Sequence, residues 1–157
     1  MVRYMLIAAV LLLTGAGTLA GQQKPDFSGE RILNRQASTL SPAMSGVQSG
    51  TQRIEHNEPS IRVHLTLVAD SRPFETVLER FTDGREVTET RQGLPTVSSV
   101  RWDGDALVFS TRGSGPTCEG SLSIRYELQD GGRTVQATEN IRGCGRDQDN
   151  MWVFQRR

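Results

Sequence analysis

Residues 121–143 read SLSIRYELQDGGRTVQATENIRG, and this stretch decides the fold. In its first half Leu122, Ile124, Tyr126 and Leu128 alternate with Ser121, Ser123, Arg125, Glu127 and Gln129. Such period-two alternation marks a strand with one buried face and one wet face. In the second half Val135, Ala137 and Ile141 share a face in the same way. Between them stands Asp130-Gly131-Gly132, residue types that accept the positive φ of a tight turn. The stretch therefore reads as one antiparallel hairpin.

The chain's two cysteines flank it. Gly131 lies midway between Cys118 and Cys144, so both stand at the open end of the hairpin, within reach of a disulfide. An exported chain with two cysteines is expected to pair them. The register is off by one, because Leu122 and Ile124 share the parity of Cys118 while Val135, Ala137 and Ile141 do not share that of Cys144. A bulge near Gly143 would repair this. A metal site or a catalytic thiol lacks partners in the sequence.

The same alternation recurs outward in both directions, with Ile61, Val63, Leu65 and Leu67 as the next clear stripe. Strands are predicted over 26–33, 51–57, 60–68, 74–82, 85–91, 96–102, 105–112, 120–129, 133–142 and 151–155. Turn signals separate them: Glu58-Pro59, Arg72-Pro73, Asp83-Gly84 and Asp103-Gly104. The fold class is all-β, an antiparallel up-and-down barrel of eight to ten strands with one hairpin disulfide. Closure removes the two exposed edges that a long meander would otherwise carry. A two-sheet sandwich is the alternative, but it needs more long crossovers than this chain has.

The first twenty residues have the form of a signal peptide: Arg3, an apolar run from Met5 to Leu13, then Thr18-Leu19-Ala20. That run is too short to span a bilayer. Residues 1–20 are read as the signal peptide and 21–157 as a single domain, exported to the periplasm or beyond, with no membrane span after cleavage. Lys and Arg total 18 and Asp and Glu total 18, with no dense basic run, which argues against nucleic acid as a partner.

Few constellations carry chemistry. His56 and His64 read as solvated surface histidines, and no His, Cys and carboxylate spacing supplies a metal site. No nucleophile, phosphate-loop or dinucleotide motif appears, so no cofactor and no catalysis are expected. Glu139 shares the face of Val135 and Ala137. It stands either in water at a rim or inside the barrel, where it needs a partner such as Arg80. Residues 34–50, NRQASTLSPAMSGVQSG, form either a surface loop or a lid that brings Leu40 and Met44 to a ligand.

The segment DFSGERILN at 26–34 resembles the Gly-x-Trp first strand of the lipocalin (calycin) superfamily, and in particular small secreted bacterial lipocalin-like proteins that begin Asp-Phe-Ser-Gly-x-Trp. IEHNEPSIRV, FTDGRE, VRWDGDALVFS and the terminal WVFQRR extend the likeness over most of the chain. In calycins the Trp packs across the barrel base against an Arg of the final strand. Here Gly29 matches, Arg31 takes the Trp position, and the last strand carries Trp152. Either Arg31 stacks on Trp152 with the partners exchanged between strands, or Arg31 points outward. The resemblance implies binding of a small, mostly apolar ligand in the barrel. Its expected lining is Leu65, Leu67, Leu107, Phe109, Ile124, Tyr126 and Val135, with Arg80 and Glu139 orienting it. The alternative is a filled barrel that binds a protein, as an exported inhibitor or envelope adaptor. The oligomeric state is open.

Overall fold

The computed structural model describes residues 23–91 and 93–156, so the signal peptide expected at 1–20 lies outside the described residues. Every strand expected from the alternation forms. They are β1 (Gly29–Leu33), β2 (Val47–Asn57), β3 (Ser60–Ala69), β4 (Arg72–Phe81), β5 (Val87–Arg91), β6 (Leu94–Asp103), β7 (Ala106–Ser114), β8 (Glu119–Gln129), β9 (Thr134–Gly143) and β10 (Gln148–Gln155). All ten belong to one sheet in the order β4-β3-β2-β1-β10-β9-β8-β7-β6-β5, which rules out the sandwich.

Only β1 and β10 pair across the sequence, through Ile32 with Gln155 and Leu33 with Phe154, and this pairing curls the sheet onto itself. The two ends of the sheet, β4 and β5, do not pair, so the barrel keeps a seam. At the lower end of the seam an isolated bridge joins Asp83 to Arg101, and the Gly84 N–H donates to the Val100 carbonyl at 2.9 Å. Farther up, Arg80 of β4 reaches across: its Nη2 lies 2.8 Å from a Glu89 carboxylate oxygen on β5, and its Nε donates to Ser98 Oγ on β6 at 2.9 Å.

The β2–β3, β6–β7 and β8–β9 turns lie at one end of the barrel, here the base. The β4–β5 connection also lies there, with Thr82 N–H donating to the Pro59 carbonyl at 2.8 Å, while the β3–β4, β5–β6, β7–β8 and β9–β10 turns and residues 34–46 lie at the opposite end. Most fully buried core side chains sit on rungs near the base: Phe27, Ile54, Ile61, Val100, Leu107, Val135 and Phe154 are each at most 2% exposed.

The hairpin disulfide is present, with Cys118 and Cys144 Cα atoms 5.3 Å apart. The expected bulge is not. The β8–β9 ladder runs in unbroken register to Gly120 opposite Gly143, and the missing residue of phase is supplied just beyond it. Gly143 and Cys144 both take positive φ, +88° and +57°, which swings the Cys144 side chain back toward Cys118. A Cβ at Gly143 would collide with the Glu119 carbonyl oxygen, so only glycine fits there.

The 34–50 segment is shorter than expected, because β2 starts at Val47. It is also fastened rather than free. Thr39 exchanges two backbone hydrogen bonds with Met151 of β10, at 2.9 and 2.7 Å, and the Val153 N–H donates to Ser38 Oγ at 3.0 Å. The segment prolongs the path of β1 along β10 after the strand itself has ended.

Candidate ligand-binding site

The base is sealed by a cluster built around the residues before β1. Phe27 N–H donates to His56 Nδ1 at 3.2 Å, and His56 Nε2 lies 2.8 Å from Glu58 Oε1. The same Glu58 accepts the Trp102 indole N–H at 2.9 Å and the Thr82 hydroxyl at 2.6 Å. The rings of Phe27, His56 and Trp102 meet with centroids about 6 Å apart, and the Lys24 ammonium sits 5.1 Å over Trp102. Burial raises the Glu58 pKa, but the Thr82, His56 and Trp102 hydrogen bonds outweigh it and hold the carboxyl below its ordinary range. His56 is thus not the solvated histidine expected, for its side chain is 3% exposed. His64 does face water, at 45%.

Arg31 belongs to this base. It is 1% exposed, with Nη1 donating to the Phe27 carbonyl at 3.0 Å and Nη2 to the Gly132 carbonyl at 2.9 Å. Neither expected placement holds: Arg31 does not point outward, and its guanidinium is held by backbone carbonyls rather than by the Trp152 ring. The register explains this. With Leu33 opposite Phe154, Arg31 falls beyond Phe154 toward the base, while Trp152 stands two rungs the other way. Burial, then the nearby Arg156 charge, pushes the Arg31 pKa down. Gly29, at φ +126°, lets the Arg156 guanidinium lie against the backbone there.

Above the base the lumen is crossed once. Gln52 Nε2 on β2 donates to the Tyr126 hydroxyl on β8 at 2.9 Å, although four pairings of the sheet separate the two strands. Burial, with the Glu139 carboxylate nearby, pushes the Tyr126 pKa above its ordinary value. Of the expected lining residues, Leu107, Phe109, Tyr126 and Val135 are packed together in the buried core below and beside this tie. They fill this part of the barrel.

Leu65, Leu67 and Ile124 differ. With Leu78, Leu40 and Met44 they lie on the margin of the core, only partly buried. Phe74, opposite Leu67 in the β3–β4 ladder and so on the same face, is 59% exposed. The inner surface of the barrel away from the base, here called the cup, thus carries apolar side chains that are incompletely covered, and it lies beside the β4–β5 seam.

Glu139 and Arg80 both turn inward but do not meet. Glu139 Oε2 accepts from Asn150 Nδ2 at 2.7 Å and from the Trp152 indole N–H at 3.0 Å. Asn150 Oδ1 in turn accepts the Ser41 N–H at 2.7 Å, which links Glu139 to the 34–46 segment. Arg80 is held at the seam by Glu89 and Ser98, and the adjacent cation keeps the Glu89 pKa below its ordinary range.

Sequence reasoning missed Gln52, His56, Glu58 and Trp102. In TQRIEHN only Ile54 is apolar among the alternating positions, so the inward face of β2 carries too little hydrophobic signal to be read. Among the described residues no group of His, Cys, Asp and Glu could hold a metal ion, and no helix is long and apolar enough to cross a membrane.

No family model and no curated protein matches the sequence. Solved structures share the fold. A secretory abundant heat soluble protein from Ramazzottius varieornatus superposes with a TM-score of 0.58 at 10% identity, covering 83% of this chain and 94% of that one. Human cRBP IV superposes with 0.53 at 19% identity, covering 85% and 99%. A fatty acid-binding protein from Drosophila melanogaster brain gives 0.50 at 17% identity, covering 83% and 100%. The chain is a lipocalin-like antiparallel β-barrel.

Proposed function

We propose that the protein is an exported, non-catalytic carrier that binds a small, mostly apolar molecule in the cup above the Gln52–Tyr126 tie. One observation supports this reading above the others: Leu65, Leu67, Leu78 and Ile124 line the inner face yet stay only partly buried, and Phe74 at the rim is 59% exposed. Inward apolar surface left open in this way is covered when a ligand enters. The fatty acid-binding protein among the fold neighbours is in keeping with it. The leader sequence Met1–Ala20 and the disulfide support export.

Native mass spectrometry of the protein made in an oxidising compartment, followed by solvent extraction, tests the reading. A stoichiometric small molecule lost on denaturation is the expected result. A bare mass, together with no saturable uptake of the apolar dye N-phenyl-1-naphthylamine, would favour the filled-barrel, protein-binding alternative.

A further inference from the structure

The polar groups of the cup are uneven in what they offer a ligand. Gln52 is 0% exposed, and its Oε1 has no hydrogen-bond partner while its Nε2 serves Tyr126. An unpaired buried acceptor of this kind is costly and calls for a donor. Glu139 stands on the neighbouring strand, one inward step from Ala137, which pairs with Tyr126. Both of its described hydrogen bonds fall on Oε2, so Oε1 has no partner among the described residues. Trp152 and Asn150 hold that carboxylate in a fixed orientation, and both are buried.

The cations are engaged in part, for Arg31 Nε and Arg80 Nη2 have no well-aligned hydrogen bond. Arg80 faces Glu89 at 2.8 Å and Ser98 at 2.9 Å across the seam. Arg31, opposite Gln52 in the β1–β2 ladder, turns toward the base with both Nη atoms on backbone carbonyls. A carboxylate head placed beside Glu139 would meet that fixed carboxylate, whose described partners, Asn150 and Trp152, carry no positive charge. A head that donates hydrogen bonds would meet Glu139 Oε1, and below it Gln52 Oε1. A hydroxyl could in addition accept from the Tyr126 O–H.

We propose that the cup selects apolar molecules whose polar head is a hydrogen-bond donor, a hydroxyl or an ammonium, and discriminates against carboxylates through Glu139 with Gln52. The inference rests on the carrier reading and deepens it.

The test is competition for bound N-phenyl-1-naphthylamine by three chain-matched molecules, decylamine, decanol and decanoic acid, on the disulfide-bonded protein and on Glu139→Gln. The wild type should bind the amine or the alcohol at least about tenfold more tightly than the acid, the scale of one charge-assisted hydrogen bond. The two arms separate a cationic head from a neutral one. In Glu139→Gln, which keeps an acceptor for Asn150 and Trp152, the amine should lose about tenfold while the acid gains. Retained dye binding by the variant shows that it is folded. Equal affinities for all three molecules, or preference for the acid, would overturn the head-group proposal and leave the carrier reading intact. Failure of the dye itself to bind the wild type would remove both.

Discussion

The base and the cup of this barrel are made of the same alternating strands and come out differently. At the base, Phe27, Leu107 and Val135 are 0% exposed, and the His56–Glu58–Trp102 cluster closes the end with hydrogen bonds of 2.8 and 2.9 Å. In the cup, side chains of the same chemical kind, Leu65, Leu67 and Ile124, stay half-buried. The difference lies in what covers them. Residues 24–28 run under the base, and among the described residues nothing equivalent spans the open side, where β4 and β5 do not pair. The 34–46 segment is fastened mainly along β10, through Met151, Asn150 and Val153, with one further bond from the Asp70 N–H to the Gly46 carbonyl at 3.2 Å. Stability and binding are thereby divided between the two ends.

The largest expected effect contrasts one leucine from each. Leu107→Ala should destabilise by about 2–5 kcal/mol, as full-depth core truncations do, and Leu67→Ala by less than half of that. Urea unfolding of both variants measures the gap, and equal losses would break the distinction. Next comes the disulfide. Replacing Cys118 and Cys144 by Ser releases a closed loop of sequence separation 26. That should remove about 3 kcal/mol in the chain-entropy model.

A subtler test uses pH at the base. The folded Glu58 pKa lies below its ordinary value of 4.5, so its contribution is complete above that value and is lost as pH falls through the lower, folded pKa. The stability gap between wild type and Glu58→Gln should therefore be widest near neutrality and shrink in acid. A gap independent of pH would show that Glu58 does not tie the base together as a carboxylate. The smallest effect is expected at the seam. Arg80→Met should shift stability by no more than about 1 kcal/mol, because an apolar side chain of similar length replaces a buried cation and leaves a partly exposed Glu89 behind. Amide exchange in β4 and β5 should nevertheless quicken.

The fold was legible because short stretches rich in apolar and β-branched residues recur, the clearest of them alternating with period two, and Asp-Gly or X-Pro punctuates many of the joints between them. The hairpin of residues 121–143 even located the disulfide. What the sequence hid depended on distance along the chain. Arg31 could be placed on β1, but its partners, the Phe27 and Gly132 carbonyls, depend on the β1–β10 register, which no local pattern sets. The sequence leaves Glu139 between a wet rim and the interior, and its partners are Asn150 and Trp152 on the adjacent strand rather than Arg80. His56 looked like a turn residue because Asn57-Glu58-Pro59 follows it, and only the chain returning as residues 24–28 buries it. Of the predicted lining, Leu65, Leu67 and Ile124 fall at the cup, whereas Leu107, Phe109, Tyr126 and Val135 pack into the core. Parity assigns a face and says nothing of height along the barrel.

Hydrogen exchange with and without N-phenyl-1-naphthylamine bears most directly on the division between a sealed base and an open cup. The account predicts that bound dye slows exchange at 65–78 of β3 and β4 and around Ile124 of β8, with amides near Ile54, Leu107 and Val135 already protected and unchanged. Protection at the base alone, or dye that binds without slowing exchange at 65–78, would contradict it.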